Sequence, residues 1–270
     1  MSGRKFAVCS VVNKQYMDYL KVFAFSLIKH NPDFDRDYIV FFKKDDLDEE
    51  DFSELRKIYD KFVFHEIHTE NYANINVGNK LKSESLHSRA LFEWTYYRLE
   101  MFNLQNYDQV VWFDIDMLVM GNLNTLFEMR YDDGILACED LLIKGLKSKE
   151  DYERDHKVQG GLIVVGKNMI NEKVYNDLLG LLSEARRFKL NDQSMFVEYF
   201  GKKERLKHIS PIYNCGRKLY LKSAVEKNDV LIIHYPGSKK PTNLSYGCST
   251  FKFWHDTKKD LNSFLDSAKT

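Results

Sequence analysis

A chain of 270 residues with 44% hydrophobic and 14% aromatic side chains can bury a core without staples, which excludes a disordered segment or a disulfide-pinned mini-protein. Its 40 basic side chains are matched by 40 acidic ones, so a net charge of zero argues against a nucleic-acid partner. No apolar run reaches the roughly 18–20 residues of a membrane span, and Cys9, Cys138, Cys215 and Cys248 form no C-x-x-C pair, so reduced core thiols in a cytoplasmic protein are expected.

Residues 6–12 form a short apolar run that Asn13-Lys14 ends, too short for a signal peptide and suited to a buried first strand. Tyr16, Leu20, Phe23 and Leu27 then recur at helical spacing until Asn31-Pro32 stops the pattern. The pattern predicts a strand over 38–42, an amphipathic helix over 47–59 and a strand over 62–64. Residues 65–86 are polar, with Asn71, Asn74, Asn76, Gly78 and Asn79. A loop of that length inside a folded unit is expected to be functional or mobile. A helix is predicted from about Ser88 to Asn103, and then Val110–Phe113, strongly apolar, runs directly into Asp114-Ile115-Asp116. Later strands are predicted at 134–138, 161–165 and 230–233, helices near 168–184 and 191–200, and a second charge-rich segment over 141–157. Strands separated by helices imply an α/β fold with a mainly parallel central sheet, helices on both faces and a C-terminal extension. No linker divides the chain, so a single domain over 1–270 is expected.

Asp114 and Asp116 carry the most information. They follow four apolar residues without a break, which puts them at the C-terminal tip of a buried strand, where open parallel sheets bind ligands. Period-two alternation would turn both carboxylates to one side. Held that close they raise one another's pKa unless a cation intervenes, and oxygen ligands suit Mg²⁺ or Mn²⁺. The bland alternative is a pair of idle turn aspartates before Gly121-Asn122. A sharper one is the haloacid-dehalogenase phosphatase signature, D-x-D-x-T/V, but Met117 and Leu118 follow the pair here and the Thr or Val is missing.

With Tyr97-Arg98-Leu99 upstream and the run from Asp114 through Gly121-Asn122 to Phe127 downstream, the sequence resembles glycosyltransferase family 8, to which glycogenin belongs. The resemblance extends from about Phe6 to Pro241 and ends in His234-Tyr-Pro-Gly237-Ser-Lys-Lys240-Pro241, which matches the family's H-x-x-G-x-x-K-P with Thr242 in place of the usual Trp. It implies a single GT-A, Rossmann-like domain with its nucleotide-binding part over about 1–127 and an acceptor and C-terminal part over about 128–270. It also implies a retaining transferase that moves a hexose, glucose or galactose, from a UDP-sugar to a glycan or protein acceptor, with Mn²⁺ as cofactor and Mg²⁺ as its substitute. A second copy of the chain is compatible as a further partner.

By the same resemblance Asp114, Asp116 and His234 are the expected metal ligands, and an imidazole among hard oxygens tilts the choice toward Mn²⁺. Ser10, Val12, Asn13 and Tyr16 match the uridine-binding segment, Arg98 and Arg89 fall where basic residues lie near the donor, and Ile115 belongs to the donor site. Asp140 matches an aspartate on the donor sugar's hydroxyls. Gln159-Gly160-Gly161 stands where the family has Asn-Ser/Ala-Gly, so the Gln leaves sugar identity open. Gly237 is expected to let the backbone approach the diphosphate and Lys240 to supply a point charge to it. Asp192 and Gln193 match the pair beside the anomeric carbon. Plainer roles compete with each: a helix N-cap for Asp192, a solvated helix face for Arg98 and Arg89, core packing for Tyr16, a satisfied core histidine for His234. Two further functions stay open, a self-glycosylating primer and a nucleotide-sugar-binding protein without catalysis.

Overall fold

The computed structural model describes residues 4–73, 94–141, 157–183, 191–223, 225–242 and 248–267. The apolar run at the start is β1 (Phe6–Val11), and β2 (Asp37–Phe42), β3 (Phe62–Glu66) and β4 (Gln109–Phe113) extend the same sheet. Between them α1 (Met17–His30) buries Leu20, Phe23 and Leu27, as its spacing predicts. α2 (Glu49–Ile58) opens on a capping box in which Asp48 and Asp51 each accept the other's backbone N–H. Beyond β4 come β5 (Met117–Val119), α3 (Asn124–Glu128), β6 (Ile135–Cys138), β7 (Gln159–Gly166), α4 (Glu172–Ser183) and α5 (Asn191–Phe196). The chain continues through β8 (Leu206–Ile209), β9 (Cys215–Gly216), α6 (Arg217–Leu221), β10 (Ile232–His234) and α7 (Ser249–Ser267).

The main sheet has seven strands in the order β3-β2-β1-β4-β7-β6-β8. It is mostly parallel; β7 alone runs against its neighbours β4 and β6. The chain steps outward from β1 to β2 and β3, then returns to lay β4 on the other flank of β1. Such a reversal leaves a crevice at the carboxyl ends of the two central strands. A smaller sheet, β5-β10-β9, stands at that same end.

Both faces of the main sheet are covered at its central strands, which is why β1 and β4 read as apolar runs. Val8, Val111 and Phe113 face a core shared with α1, the small sheet and Trp254 of α7. Ala7, Cys9, Val110 and Trp112 face a second core with Tyr97, Phe102, Leu178 and Phe196. The C-terminal extension is α7, and its Trp254 sits on Tyr19 of α1 with ring centroids 5.5 Å apart. In the second core Glu100, 2% exposed, accepts hydrogen bonds from the hydroxyls of Tyr72 and Tyr175 at 2.9 and 2.8 Å. This ties the first residues of the long polar segment to α4. The rest of that segment from residue 74 on, and residues 142–156 of the second one, lie outside the described residues.

The predicted helix ending at Asn103 is helical throughout its described part, α-helical over 94–96 and tightened to a 3-10 helix over Tyr97–Asn103. Among the described residues no helix is long and apolar enough to cross a membrane. The four cysteines are free thiols, and burial pushes those of Cys9 and Cys138 well up.

Candidate functional site

β4 ends at Phe113, and a bend at Ile115 and Asp116 separates it from β5. The two carboxylates therefore converge because the chain turns between two sheets, not because they alternate along one strand. β10 returns antiparallel to β5 with His234 opposite Met117, which lays the imidazole against the turn. One ligand atom from each of Asp114, Asp116 and His234 lies within 4.8 Å of the others. His234 Nε2 is 3.3 Å from Asp116 Oδ1 and 3.9 Å from Asp114 Oδ2.

The remaining oxygen of each carboxylate is already held. Asp114 Oδ1 accepts from Trp112 Nε1 at 2.9 Å and from Arg98 Nη2 at 3.2 Å. Asp116 Oδ2 accepts from the Lys240 ammonium, which also donates to the Tyr235 carbonyl at 3.0 Å. Each acid thus presents one engaged oxygen outward and one toward the imidazole. Burial disfavours the charge on Asp116, yet Lys240 and then His234 hold its carboxyl well below the usual range. Burial likewise opposes the charge on Lys240, and Asp116 outweighs it, raising the ammonium above its ordinary value.

Strand β7 fixes the other side. Its first three carbonyls each hold one arm of the site: Gln159 O accepts from Asn214 Nδ2 at 3.4 Å, Gly160 O from Arg98 Nη1 at 2.7 Å, and Gly161 O from the Asp114 N–H at 2.8 Å. Gly161 must be small. A Cβ there would stand 2.5 Å from His234 Cε1 and 2.7 Å from its Nδ1. Gly161→Ala is therefore expected to cost about 1–3 kcal/mol of stability through overpacking. Gly180→Ala, in α4 with nothing within 4 Å of the new Cβ, is expected to gain about 0.5–1 kcal/mol. Urea unfolding of the two variants checks the opposite signs, and a neutral Gly161→Ala would mean the ring is free to move.

The other predicted residues distribute as follows. Arg98 is 6% exposed and stacks over Trp112, so it is no solvated helix face. Ser10 is fully buried; its hydroxyl donates to Phe113 O at 2.8 Å and ties the end of β1 to β4. Val12 is buried, and Asn13 accepts from the Tyr16 N–H at 3.1 Å, shaping the turn beyond β1. Tyr16 packs against Tyr19 with ring centroids 5.7 Å apart and the planes tilted by 40°, and Ile115 packs on the core from the bend. Gln159 is buried at the start of β7, and Asp140 follows the end of β6, half-buried. Gly237 has φ of 81°, which L side chains avoid, and open space where a Cβ would stand. Thr242, at the family's Trp position, hydrogen-bonds the Tyr19 hydroxyl. Asp192 and Gln193 lie in α5. Arg89 lies outside the described residues. Trp112 and Asn214 are site residues that the sequence did not announce.

Two carboxylate oxygens and an imidazole nitrogen converging on one point suit a divalent cation that accepts hard oxygen and nitrogen ligands. Galactinol synthase 7 of Arabidopsis thaliana is 25% identical over an alignment of 182 residues, gaps included, that covers 58% of this chain and 53% of the relative. Glycogenin-1 of Mus musculus is 27% identical over 161 residues, 57% of this chain and 43% of its own. The chain spans about half the length of these curated relatives. Among solved structures, the galactosyltransferase LgtC in complex with donor and acceptor sugar analogs aligns with a TM-score of 0.74 at 17% identity, covering 94% of this chain and 95% of that one. The glycosyltransferase GlyE of Streptococcus pneumoniae aligns with a TM-score of 0.71 at 18% identity, covering 98% of this chain and 63% of GlyE. That likeness shows the GT-A fold. Residues 7–257 match glycosyl transferase family 8, and the chain belongs to that family.

Proposed function

We propose that this family 8 glycosyltransferase moves a hexose, glucose or galactose, from UDP to a glycan or protein acceptor with retention of configuration. A divalent cation, Mn²⁺ before Mg²⁺, would be held by Asp114, Asp116 and His234. The observation that carries the proposal is the convergence of those three side chains at the crevice between β1 and β4, with Arg98 and Lys240 on the outer carboxylate oxygens. Bound there, the cation supplies Lewis-acid stabilisation of the charge that grows on the departing diphosphate.

The chain's own residues do the rest. Asn13 and Tyr16 border the crevice from the end of β1 and suit the uridine. Gly237, with open space at its Cα, lets the diphosphate come close to the backbone, and Lys240 brings a second positive charge to it. Asp140 and Gln159 suit the hexose hydroxyls, and Asp192 with Gln193 suit the anomeric centre. Arg98 and Trp112 hold Asp114 so that it need not reorganise. We read residues 1–270 as one domain, with the nucleotide-binding part over about 1–127 and the acceptor and C-terminal part, which also brings residues to the donor, over about 128–270. Retention rests on family membership.

Titration calorimetry of UDP with Mn²⁺ and with EDTA tests the proposal. UDP affinity is expected to fall sharply in EDTA, and equal affinity in both would sink the metal assignment. Intact mass after incubation with UDP-glucose or UDP-galactose separates an external acceptor, which leaves the mass unchanged while UDP is released, from self-glycosylation, which adds a hexose ladder.

A further inference from the structure

We infer that Asn214 is a positioning residue that fixes the imidazole of His234 with its Nε2 lone pair turned toward Asp114 and Asp116; the inference rests on the metal-site proposal above.

The backbone brings the two residues together before any side chain is considered. β9 runs parallel to β10, with Cys215 beside Ile233 and Gly216 beside His234. Asn214, the residue just before β9, is fully buried. Its carboxamide lies between β7 and the imidazole: Nδ2 is 3.4 Å from Gln159 O, and Oδ1 is 2.8 Å from His234 Nδ1. A backbone carbonyl can only accept, so the end of the amide facing β7 is the NH₂ and the end facing the ring is the oxygen. That oxygen can only accept as well, so His234 Nδ1 must carry a proton. In the neutral ring the lone pair is then on Nε2, the atom nearest both carboxylates.

A second contact leaves the ring little freedom to escape this arrangement. The imidazole lies against Gly161, where a Cβ would meet Cε1 at 2.5 Å. The plane of the ring is set by that contact, and what remains is a half-turn about its axis. Such a flip would present a carbon to the Asn214 oxygen and take the Nδ1 proton away from its acceptor in a buried place. Asn214 therefore decides which nitrogen faces the carboxylates, as outer partners of ligating histidines generally do.

The test reads proton position as well as affinity. In ¹⁵N-histidine spectra of the wild-type chain with Mg²⁺ and UDP, His234 is expected to be protonated at Nδ1 with slow exchange. Mn²⁺ affinity, followed by the EPR signal of the free ion, is expected to fall about 10–100-fold in Asn214→Leu. Asn214→Asp keeps an acceptor on Nδ1 and is expected to recover part of that loss. Should Asn214→Leu fail to fold, the wild-type spectrum still decides. A proton on Nε2 in that spectrum overturns the inference, and so does wild-type Mn²⁺ affinity in Asn214→Leu when His234→Ala has lost it. A wild-type chain with Nδ1 protonated but no affinity for Mn²⁺ overturns the metal proposal and any part of Asn214 in it, while bearing out the orientation of the ring.

Discussion

Replacing Asp116 by alanine is expected to lower metal-dependent release of UDP from a UDP-hexose by roughly 10³-fold, the rate equivalent of about 4 kcal/mol of lost Lewis-acid stabilisation. Asp116 is the junction of the site, since one of its oxygens faces His234 Nε2 and the other takes the Lys240 ammonium. Removing the carboxylate deletes a ligand and takes away the acid that stands between the Lys240 ammonium and the buried His234 imidazole. Asp116→Asn keeps the shape but not the charge, so it should fall nearly as far. The measurement is UDP release against Mn²⁺ concentration, with circular dichroism to show that the chain is folded. Activity of Asp116→Asn within a few-fold of wild type would mean that charge at this position does not hold the cation.

The second large effect is expected from Lys240→Ala, and it should depend on the metal in an unusual way. Taking one partner from a largely buried ion pair costs about 3 kcal/mol, because the other charge is left without compensation. In EDTA, urea unfolding of this variant should show a loss of that size. In Mn²⁺ the loss should shrink, because the divalent ion takes over as the counter-charge of Asp116. The same competition predicts that Lys240→Ala binds Mn²⁺ no more weakly than wild type, whereas UDP release slows for want of a cation at the leaving group. The pH dependence has a definite sign. Asp116 has a lowered folded pKa, so its contribution is present above the ordinary carboxylate value near 4 and is lost as pH falls below it. Lys240 has a raised one, so its contribution holds up to the ordinary lysine value near 10 and is lost above it. Between those limits the difference between the two proteins should stay level with pH. Equal losses in EDTA and in Mn²⁺ would separate Lys240 from the metal site.

The central strands were legible in the sequence because both their faces are buried. Phe6–Val11 and Gln109–Phe113 read as interior strands, and the carboxylates after Phe113 fall at the C-terminal end of one of them. The spacing from Asp116 to His234 was legible as a family pattern, and the geometry brings the two within 3.3 Å. What could not be read were elements defined by their partners. β5 and β9 are three and two residues long, and β8 is a half-exposed Leu-Lys-His-Ile with no alternation to mark it. Trp112 and Asn214 escaped for a related reason. Each looks like core, and its part in the site depends on a single hydrogen bond to a residue that only the fold brings near. Arg98 was placed near the donor by analogy, and the structure spends its guanidinium inside the protein, on Gly160 O and Asp114.

The small sheet has a bearing on the lifetime of the molecule. Asp116 stands at the entrance to β5 and His234 at the end of β10, so an ion shared by them would fasten two points far apart along the chain, as a reversible cross-link does. Closing so long a loop is entropically expensive for a free chain, and an ion that binds only the closed form returns about 2.7 kcal/mol when present at a hundred times its dissociation constant. The supply of that ion would then govern how long each folded molecule survives as well as how fast it works.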